Sequence, residues 1–248
     1  MIQSITIDFW NTVVDSRNGE RRRAARNQAM AEVFERVGRA WDEQQVAAAF
    51  EHSYQTFERQ WHGEQRTMRA AESLDVIWRF LDIEVPDDAH ERVVTLIEDS
   101  ILEGMPGLLP GCAETLASLS ARVPLVLISD TAFSPGRVLR QVLEFHGIAD
   151  HFRDMIFSDE TGVSKPHPLM FERALEAAGA SAAESVHIGD IERTDIAGAK
   201  AMGMRAILFR GDESGRYHHE NTAERTAADA VAHDWAEVRG ILAEWGLS

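Results

Sequence analysis

Polar residues follow four short apolar stretches of the chain, and their side chains are of types that do nucleophilic or acid–base chemistry. They are Asp8, Ser129-Asp130, Ser158-Asp159 and Gly189-Asp190. The apolar stretches have the length and composition of buried strands. Ligands of an open parallel sheet bind beyond the carboxyl ends of its strands. The pattern therefore predicts that these groups converge on one crevice.

Asp8 ends the first of these stretches and is followed by Phe9, Trp10, Asn11 and Thr12. A carboxylate at the end of a hydrophobic strand is well placed for chemistry. Trp10, two residues later, is bulky, and its indole N–H is a donor that does not exchange protons near neutral pH. The stretch thus combines a reactive position with a neighbour that cannot transfer a proton.

The composition limits the partners of the protein. The chain has 248 residues, 44% of them hydrophobic, and a formal net charge of −16. This charge argues against nucleic acid or an anionic membrane as a partner, because both are polyanions. An anionic substrate must then be attracted by a metal or by local positive charge, and lysine occurs only at Lys165 and Lys200. No stretch of 18 apolar residues and no basic leader before an apolar core is present, so we expect a soluble, cytoplasmic protein.

The apolar pattern divides the chain into a helical segment and an alternating segment. Between about Arg17 and Glu103, apolar residues recur three and four apart, which predicts four helices. Asp42 and Asp87 are placed as helix N-caps. A Gly- and Pro-rich linker, Glu103 to Gly111, follows.

After the linker, four strand-like runs alternate with helical patterns, which predicts a mainly parallel sheet covered on both faces. The fold class is therefore α/β, with a Rossmann-like sheet interrupted early by an all-helical insert. We predict a core of residues 1–14 and 106–248 and an insert of residues 15–105. The predicted strands after the linker are Val123–Ser129, Asp154–Ser158, Ser185–Gly189 and Arg205–Phe209, the last of which closes the series.

Four motifs in this order resemble those of the haloacid dehalogenase-like (HAD) superfamily of hydrolases. The resemblance covers the whole chain and implies the HAD fold, with the helical insert similar to the cap domain of the first cap class. The motifs are DFWNT from Asp8, ISD ending at Asp130, SKPHPLMF containing Lys165, and IGDIERTDIAGAKAMGM containing Asp190 and Asp195.

The resemblance implies hydrolysis of a small phosphorylated molecule. Asp8 is then the nucleophile that forms an aspartyl-phosphate. Lys165 neutralises Asp8 and the transferring phosphoryl group. The residues expected to bind the phosphoryl group are Asn11, Thr12, Ser129, Asp130 and Lys165.

The resemblance also implies Mg²⁺ as the cofactor, because carboxylate oxygens are hard ligands that suit this ion. Mg²⁺ offsets the repulsion between the attacking carboxylate and an anionic substrate. Glu192 is either a residue that supports this site or a solvated loop carboxylate. The expected metal ligands are Asp8, the Trp10 backbone carbonyl, Asp190 and Asp195.

Trp10 departs from the family's phosphatases, which carry a second Asp at this position as the acid and base. One interpretation is a phosphatase without that group, with His52 or His62 of the insert as substitutes. A second is a haloacid dehalogenase, since those relatives carry an aromatic residue here but lack the metal and typically have a neutral residue at Asp190. A third is a phosphate-binding or regulatory protein with low turnover. A phosphonate-cleaving enzyme is disfavoured, because the insert contains no lysine.

Three further features have simpler interpretations. The basic run RRRAAR, Arg21 to Arg26, is predicted to be the solvated face of the first insert helix. Arg66 and Arg69 are weaker candidates for contact with a substrate anion. The run RYHHE, Arg216 to Glu220, is predicted to be a surface segment, because adjacent histidines lack the spacing for chelation from one face.

Overall fold

The computed structural model of the protein describes residues 1–216 and 225–247, which form a parallel sheet with helices on both faces. Its strand order is β3-β2-β1-β4-β5-β6, and every neighbouring pair is parallel. The order reverses between β1 and β4, which places the ligand crevice at their carboxyl ends. This confirms the predicted α/β class. The strands are β1 (Ser4–Ile7), β2 (Leu125–Ser129), β3 (Asp154–Phe157), β4 (Ser185–Gly189), β5 (Arg205–Phe209) and β6 (Ala230–Ala232).

The helices divide into those of the insert and those that cover the sheet. The insert contains α1 (Gly19–Arg36), α2 (Glu43–Glu64), α3 (Ala70–Leu81) and α4 (Asp87–Glu103). The sheet is flanked by α5 (Cys112–Ser120), α6 (Gly136–Phe145), α7 (Ser158–Thr161), α8 (Pro168–Ala178), α9 (Ala197–Ala201) and α10 (Trp235–Glu244). Among the helices of the described residues, none is long and apolar enough to cross a membrane.

Each face of the sheet has its own hydrophobic cluster. In β2, Leu125 and Leu127 point to the cluster of α5, α6 and α10, while Val126 and Ile128 point to that of α8 and α9. Successive side chains of a strand point to opposite faces, so a strand buried on both faces is apolar throughout. This explains why the strands could be recognised as continuous apolar runs.

The four helices of the insert pack around a third cluster, which includes Val33, Leu74, Ile77 and Ile97. In this bundle α1 packs against α4, and α2 packs against α3. The Asp42 side chain caps α2 by accepting from the backbone N–H groups of Gln44 and Gln45, as predicted. The boundaries proposed for the insert, residues 15 and 105, stay a prediction.

Four sequence-based expectations were wrong in detail. The sheet does not close at β5, because the three-residue strand β6 follows it, and three residues are too few for a periodic signal. Ser158 begins helix α7 instead of ending a strand. Pro86 takes the N-cap position predicted for Asp87. The helix expected from Thr194 is preceded by a π-helical turn, Glu192–Ile196.

Candidate active site

The carboxyl ends of the central strands form the floor of a cavity of about 210 Å³, and helix α2 of the insert faces that floor. The cavity thus lies at the crevice expected from the strand order. Its lining from the floor is Asp8, Trp10, Asn11, Ser16, Asp130, Thr131, Ala132, Lys165, Asp190, Ile191, Thr194 and Asp195, and the opposite wall is Tyr54, Phe57, Trp61 and Arg216.

Lys165 is the centre of the charged floor. Its Nζ donates to Asp8 Oδ1 at 2.5 Å, to Asp195 Oδ1 at 2.7 Å and to the Ile128 carbonyl at 3.1 Å. Burial alone would lower the pKa of Lys165, but the charges of Asp195, Asp8 and Asp130 outweigh it and hold the pKa well above its usual value. Lys165 therefore remains a cation, and the predicted proximity to Asp8 is present.

Asp195 holds Lys165 in place and is itself saturated with hydrogen bonds. Its Oδ1 accepts from Lys165 Nζ and from His187 Nε2 at 3.0 Å, and its Oδ2 accepts from the Ile191 N–H at 3.1 Å and Thr194 Oγ1 at 3.2 Å. Burial would raise the pKa of Asp195, but Lys165 and His187 outweigh it and hold the pKa well below its usual value. Asp195 is thus a stable buried anion.

His187 links this anion to the interior of the sheet and was missed by the sequence analysis. Because its Nε2–H donates to Asp195, its Nδ1 accepts from Thr6 Oγ1 at 2.8 Å. Burial lowers the pKa of His187, so the ring is neutral. The signal was visible in retrospect: a histidine and a threonine occupy apolar strands at positions that pair across β1 and β4.

Asp190 has a different environment from Asp195, although it is buried in the same loop. The hydrogen bond that the structure gives its side chain is a long one, 3.4 Å from Asn11 Nδ2 to Oδ2. Burial and the charge of Asp8 raise the pKa of Asp190 well above its usual value. Burial also raises the pKa of Asp8, against the opposing effect of Lys165. Two buried carboxylates that repel each other form a site where a cation is stabilising.

The residues present fit a Mg²⁺ ion in part. Asp8 and Asp190 offer carboxylate oxygens, and Trp10 lines the same cavity. Asp195 differs, because each of its oxygens already accepts two hydrogen bonds, and these disfavour the direct coordination that the sequence predicted. Within the part of the chain that the structure describes, no three His, Cys, Asp or Glu side chains are grouped as metal ligands.

Trp10 connects the core to the insert. Its ring packs edge-on against Phe9 with centroids 5.1 Å apart, and the guanidinium of Arg22 on α1 lies 5.5 Å from its ring centre. Asn11, the next residue, has a φ of 55°, which is the left-handed conformation that asparagine tolerates. The tight turn after Asp8 is therefore built with Trp10 as a packing residue.

Asp130, which the resemblance assigned to phosphoryl binding, contributes its side chain to the cavity lining. Its Oδ1 accepts from the Lys165 N–H at 2.9 Å, and its Oδ2 accepts from Trp61 Nε1 of α2 at 2.9 Å. Burial raises the pKa of Asp130 to about 6, against the opposing charge of Lys165. A carboxyl group that titrates near neutral pH thus joins the floor to the insert.

Several predicted residues lie away from the cavity lining. Ser129 is fully buried and donates to the Asp130 carbonyl at 3.3 Å, and Thr12 is fully buried, with its backbone carbonyl accepting from Trp235 Nε1 at 3.0 Å. Asp159 accepts from the Gly136 N–H at 3.1 Å. The contact with phosphate that was predicted for Ser129 and Thr12 stays a prediction.

Other candidates are engaged elsewhere. Glu192 accepts from Thr226 Oγ1 at 2.6 Å, outside the cavity. Arg66 pairs with Glu72 at 2.8 Å, and His52 packs its ring against Phe80. Among the described residues, the cavity lining does not include His52, His62, Arg66 or Arg69. The first residue of RYHHE, Arg216, does line it, and Tyr217 to Glu220 lie outside the described residues.

The insert wall is aromatic. Tyr54, Phe57 and Trp61 lie at helical spacing on one face of α2, with Phe57 and Trp61 stacked at a centroid distance of 5.7 Å. The Arg193 guanidinium lies 4.5 Å from the centre of the Trp61 ring. The apolar spacing in the sequence, to which Phe57 and Trp61 belong, predicted a helix here. Periodicity placed them on one face, but it does not reveal what that face contacts.

Known proteins match this chain in both sequence and fold. The family described as haloacid dehalogenase-like hydrolase matches residues 2–203 of the chain. Among curated relatives, a glyceraldehyde 3-phosphate phosphatase of Pyrococcus furiosus is 30% identical over 54% of this chain and 54% of its own. A ribulose-1,5-bisphosphate 5-phosphatase of Halopiger xanaduensis is 31% identical over 55% of this chain and 56% of its own. The matched segments thus span about half of these relatives.

Solved structures share the fold over the whole chain. A 2-haloacid dehalogenase of Pseudomonas syringae pv. Tomato has a TM-score of 0.73 and 24% identity, with 99% of this chain and 100% of that chain covered. A Bacillus subtilis HAD hydrolase bound to magnesium has a TM-score of 0.64 and 19% identity, with 97% and 98% covered. At these identities the likeness shows the fold alone.

Proposed function

Because the chain belongs to the haloacid dehalogenase-like hydrolases, we propose that it hydrolyses a small phosphate ester through Asp8, with Mg²⁺ as its cofactor. The observation that carries this proposal is the buried ion pair between Lys165 Nζ and Asp8 Oδ1, anchored by Asp195 on the other side. The phosphatase relatives support the phosphoester as the substrate class.

Asp8 acts as the nucleophile in this proposal. A carboxylate oxygen attacks phosphorus, the ester P–O bond breaks, and the alcohol leaves as an aspartyl-phosphate forms. Water then attacks the same phosphorus, which releases inorganic phosphate and restores the Asp8 carboxylate. Lys165 stabilises the negative charge on the phosphoryl oxygens in both steps, and its fixed position costs no reorganisation.

Mg²⁺ bound by Asp8, Asp190 and the Trp10 carbonyl would neutralise charge on the phosphoryl oxygens. The raised pKa values of Asp8 and Asp190 support a cation at this place, because its charge would favour their ionised forms. Asp195 acts through Lys165 by holding its ammonium group toward Asp8.

Asp130 is the proposed proton-transfer group in place of the acid that Trp10 does not supply. The other carboxyl groups in the cavity lining already have a role or lie in another loop: Asp8 is the nucleophile, and Asp190 and Asp195 share a loop. Its pKa of about 6 suits a base for the attacking water and an acid for the leaving alcohol near neutral pH. Hydrogen bonds from Lys165 N–H and Trp61 Nε1 fix its orientation.

The test is phosphate release from p-nitrophenyl phosphate. We expect release with Mg²⁺, none with a chelator, and none for Asp8→Asn, while the matched control Asp87→Asn, an exposed carboxylate of α4, retains it. Release that persists in Asp8→Asn would exclude Asp8 as the nucleophile.

Trp10 favours one alternative, a 2-haloacid dehalogenase, because an alkyl halide needs no protonated leaving group. The assay that separates the two functions is halide release from 2-chloropropionate in the presence of EDTA. Halide release under these conditions, without phosphate release in Mg²⁺, would replace the phosphatase proposal.

A further inference from the structure

A second cavity, of about 550 Å³, lies between α1 and α2 next to the catalytic cavity. The two share Tyr54 and Arg216 in their linings, so they are adjacent parts of one cleft. We call the second cavity the Arg26 pocket. The side chains that define it are Arg23, Arg26, Phe50, Tyr54, Phe133 and Arg216.

Part of the basic run of α1 is turned inward, contrary to the expectation of a solvated face. Arg22 is only 7% exposed and donates to the carbonyls of Ser16 and Arg17. Arg26, one helical turn later, is partly buried and lines the Arg26 pocket. Arginines at positions i and i+4 share one face of a helix, and here that face is the inner one.

Arg26 lacks an anionic partner. Its Nε donates to Ser100 Oγ at 2.9 Å, and its guanidinium lies 4.6 Å from the centre of the Phe133 ring. Across residues 1–216 and 225–247, no carboxylate pairs with Arg26, and its Nη groups donate to no acceptor. Burial and the charge of Arg22 lower its pKa to about 10, so Arg26 is still charged at neutral pH. A buried charge without a counter-charge is costly, and a bound anion removes that cost.

The rest of the pocket supports an anion joined to an apolar body. Arg216 stacks 3.7 Å from the centre of the Tyr54 ring, and Phe50 and Phe133 pack edge-to-face 6.0 Å apart. Glu43 and Glu51 also line the pocket, and Glu51 lies 4.0 Å from Arg216. Three arginines against two glutamates leave a net positive site in a chain of net charge −16.

We propose that the Arg26 pocket binds a second anionic group of the substrate, a carboxylate or a second phosphate, while the reacting phosphoryl group lies at Asp8. This inference rests on the proposed phosphatase function and names the substrate class: phosphate monoesters with an anion at the far end. The aromatic side chains between the two sites, Tyr54 above all, contact the carbon chain that joins the two groups.

The kinetic test compares substrates that differ at the far end. 3-Phosphoglycerate carries a carboxylate there, fructose 1,6-bisphosphate a phosphate, and glycerol 3-phosphate a hydroxyl. For Arg26→Gln, we expect the ratio of kcat/KM between the doubly anionic ester and glycerol 3-phosphate to fall about 10- to 100-fold, through KM, because a charge-assisted hydrogen bond is lost. The preferred anion shows which of the two groups the pocket takes. Arg26→Lys should restore part of the ratio, and Arg21→Gln, an exposed arginine of the same helix, should leave it unchanged.

A binding measurement separates failure of this inference from failure of the proposed function. Asp8→Asn protein is titrated with 3-phosphoglycerate, fructose 1,6-bisphosphate and glycerol 3-phosphate by calorimetry, with and without Arg26→Gln. A preference for a doubly anionic ester that disappears with Arg26→Gln supports the pocket even if no ester is hydrolysed. Equal affinity for all three esters, or a preference that survives Arg26→Gln in a folded protein, overturns it.

Discussion

The two adjoining cavities have opposite charge. The catalytic floor gathers Asp8, Asp130, Asp190 and Asp195 around the single cation Lys165, whereas the Arg26 pocket gathers Arg23, Arg26 and Arg216 against Glu43 and Glu51. The floor is supplied by strand ends and the pocket mainly by helix faces of the insert. In a protein of net charge −16, the core thus supplies a cluster of carboxyl groups, while the insert supplies most of a local positive charge.

A smaller contrast lies within the floor, between Asp190 and Asp195. Both are buried in the same loop, but four donors surround Asp195 and one long hydrogen bond reaches Asp190. The pKa of Asp195 is lowered and that of Asp190 is raised. Asp195 is therefore stabilised as an anion by its donors, whereas burial disfavours the ionised form of Asp190.

Asp195→Asn should produce the largest effect, a loss of about 3–5 kcal/mol in the free energy of unfolding, because it removes one of the two carboxylates that hold the buried Lys165 ammonium group and leaves only Asp8 as its ion-pair partner. A lowered pKa in the folded state means that this stability is present above the unfolded value of 3.8 and is lost as the pH falls below it. Urea unfolding at pH 7 and at acidic pH measures both.

The matched control is Asp229→Asn, which breaks the more exposed ion pair of Asp229 with Lys200 at 2.7 Å. It should cost at most about 1 kcal/mol, since water screens that pair. Equal costs for the two variants would contradict the structural role of Asp195.

Asp130→Asn should reduce kcat by about 10²-fold or more, the size of a general acid–base contribution. In the wild type, the rate should fall as the pH falls through about 6, because one step needs Asp130 in its ionised form. This acid limb of the pH–rate profile should be absent in the variant. A pH–rate profile with p-nitrophenyl phosphate measures it. Asp159→Asn, which changes a carboxylate outside the cavity, should keep the limb, and an unchanged profile in Asp130→Asn would refute the role.

Asp190→Asn should remove the stabilisation that Mg²⁺ gives the folded protein, about 2.7 kcal/mol when Mg²⁺ is 100-fold above its Kd. Without Mg²⁺ the variant should be more stable than the wild type at neutral pH. The raised pKa of Asp190 means that this group contributes stability at low pH, and that the contribution is lost as the pH rises through the folded pKa.

Thermal unfolding with Mg²⁺ and with EDTA tests the role of Asp190, and Glu192→Gln serves as the control from the same loop. A Mg²⁺-dependent shift that survives in Asp190→Asn would place the ion elsewhere.

The contrast between floor and insert also explains what could be predicted from the sequence. Asp8 and Asp190 were predicted to lie together because strands bring their own ends to one crevice, so that local pattern and position agree, whereas Lys165 was predicted from the resemblance of its motif. Arg26 was assigned to a solvated face, and the contact of Trp61 with Asp130 was not predicted, because helical periodicity defines a face without saying what that face contacts. The π-helical turn Glu192–Ile196, which directs Asp195 to Lys165, has no sequence signal of comparable strength.

Trp61→Phe should give the smallest effect, at the point where floor and insert meet. The change keeps the ring that stacks on Phe57 and removes the Nε1–H that donates to Asp130 Oδ2. That hydrogen bond lowers the pKa of Asp130, so its loss should raise the pKa and move the acid limb of the pH–rate profile upward, with little change at the plateau. Trp78→Phe removes a comparable hydrogen bond, 3.0 Å from Nε1 to His90 Nδ1 inside the insert, and should leave the limb in place. An acid limb that shifts equally in both variants would mean that the insert acts on Asp130 through its stability, and not through the Trp61 hydrogen bond.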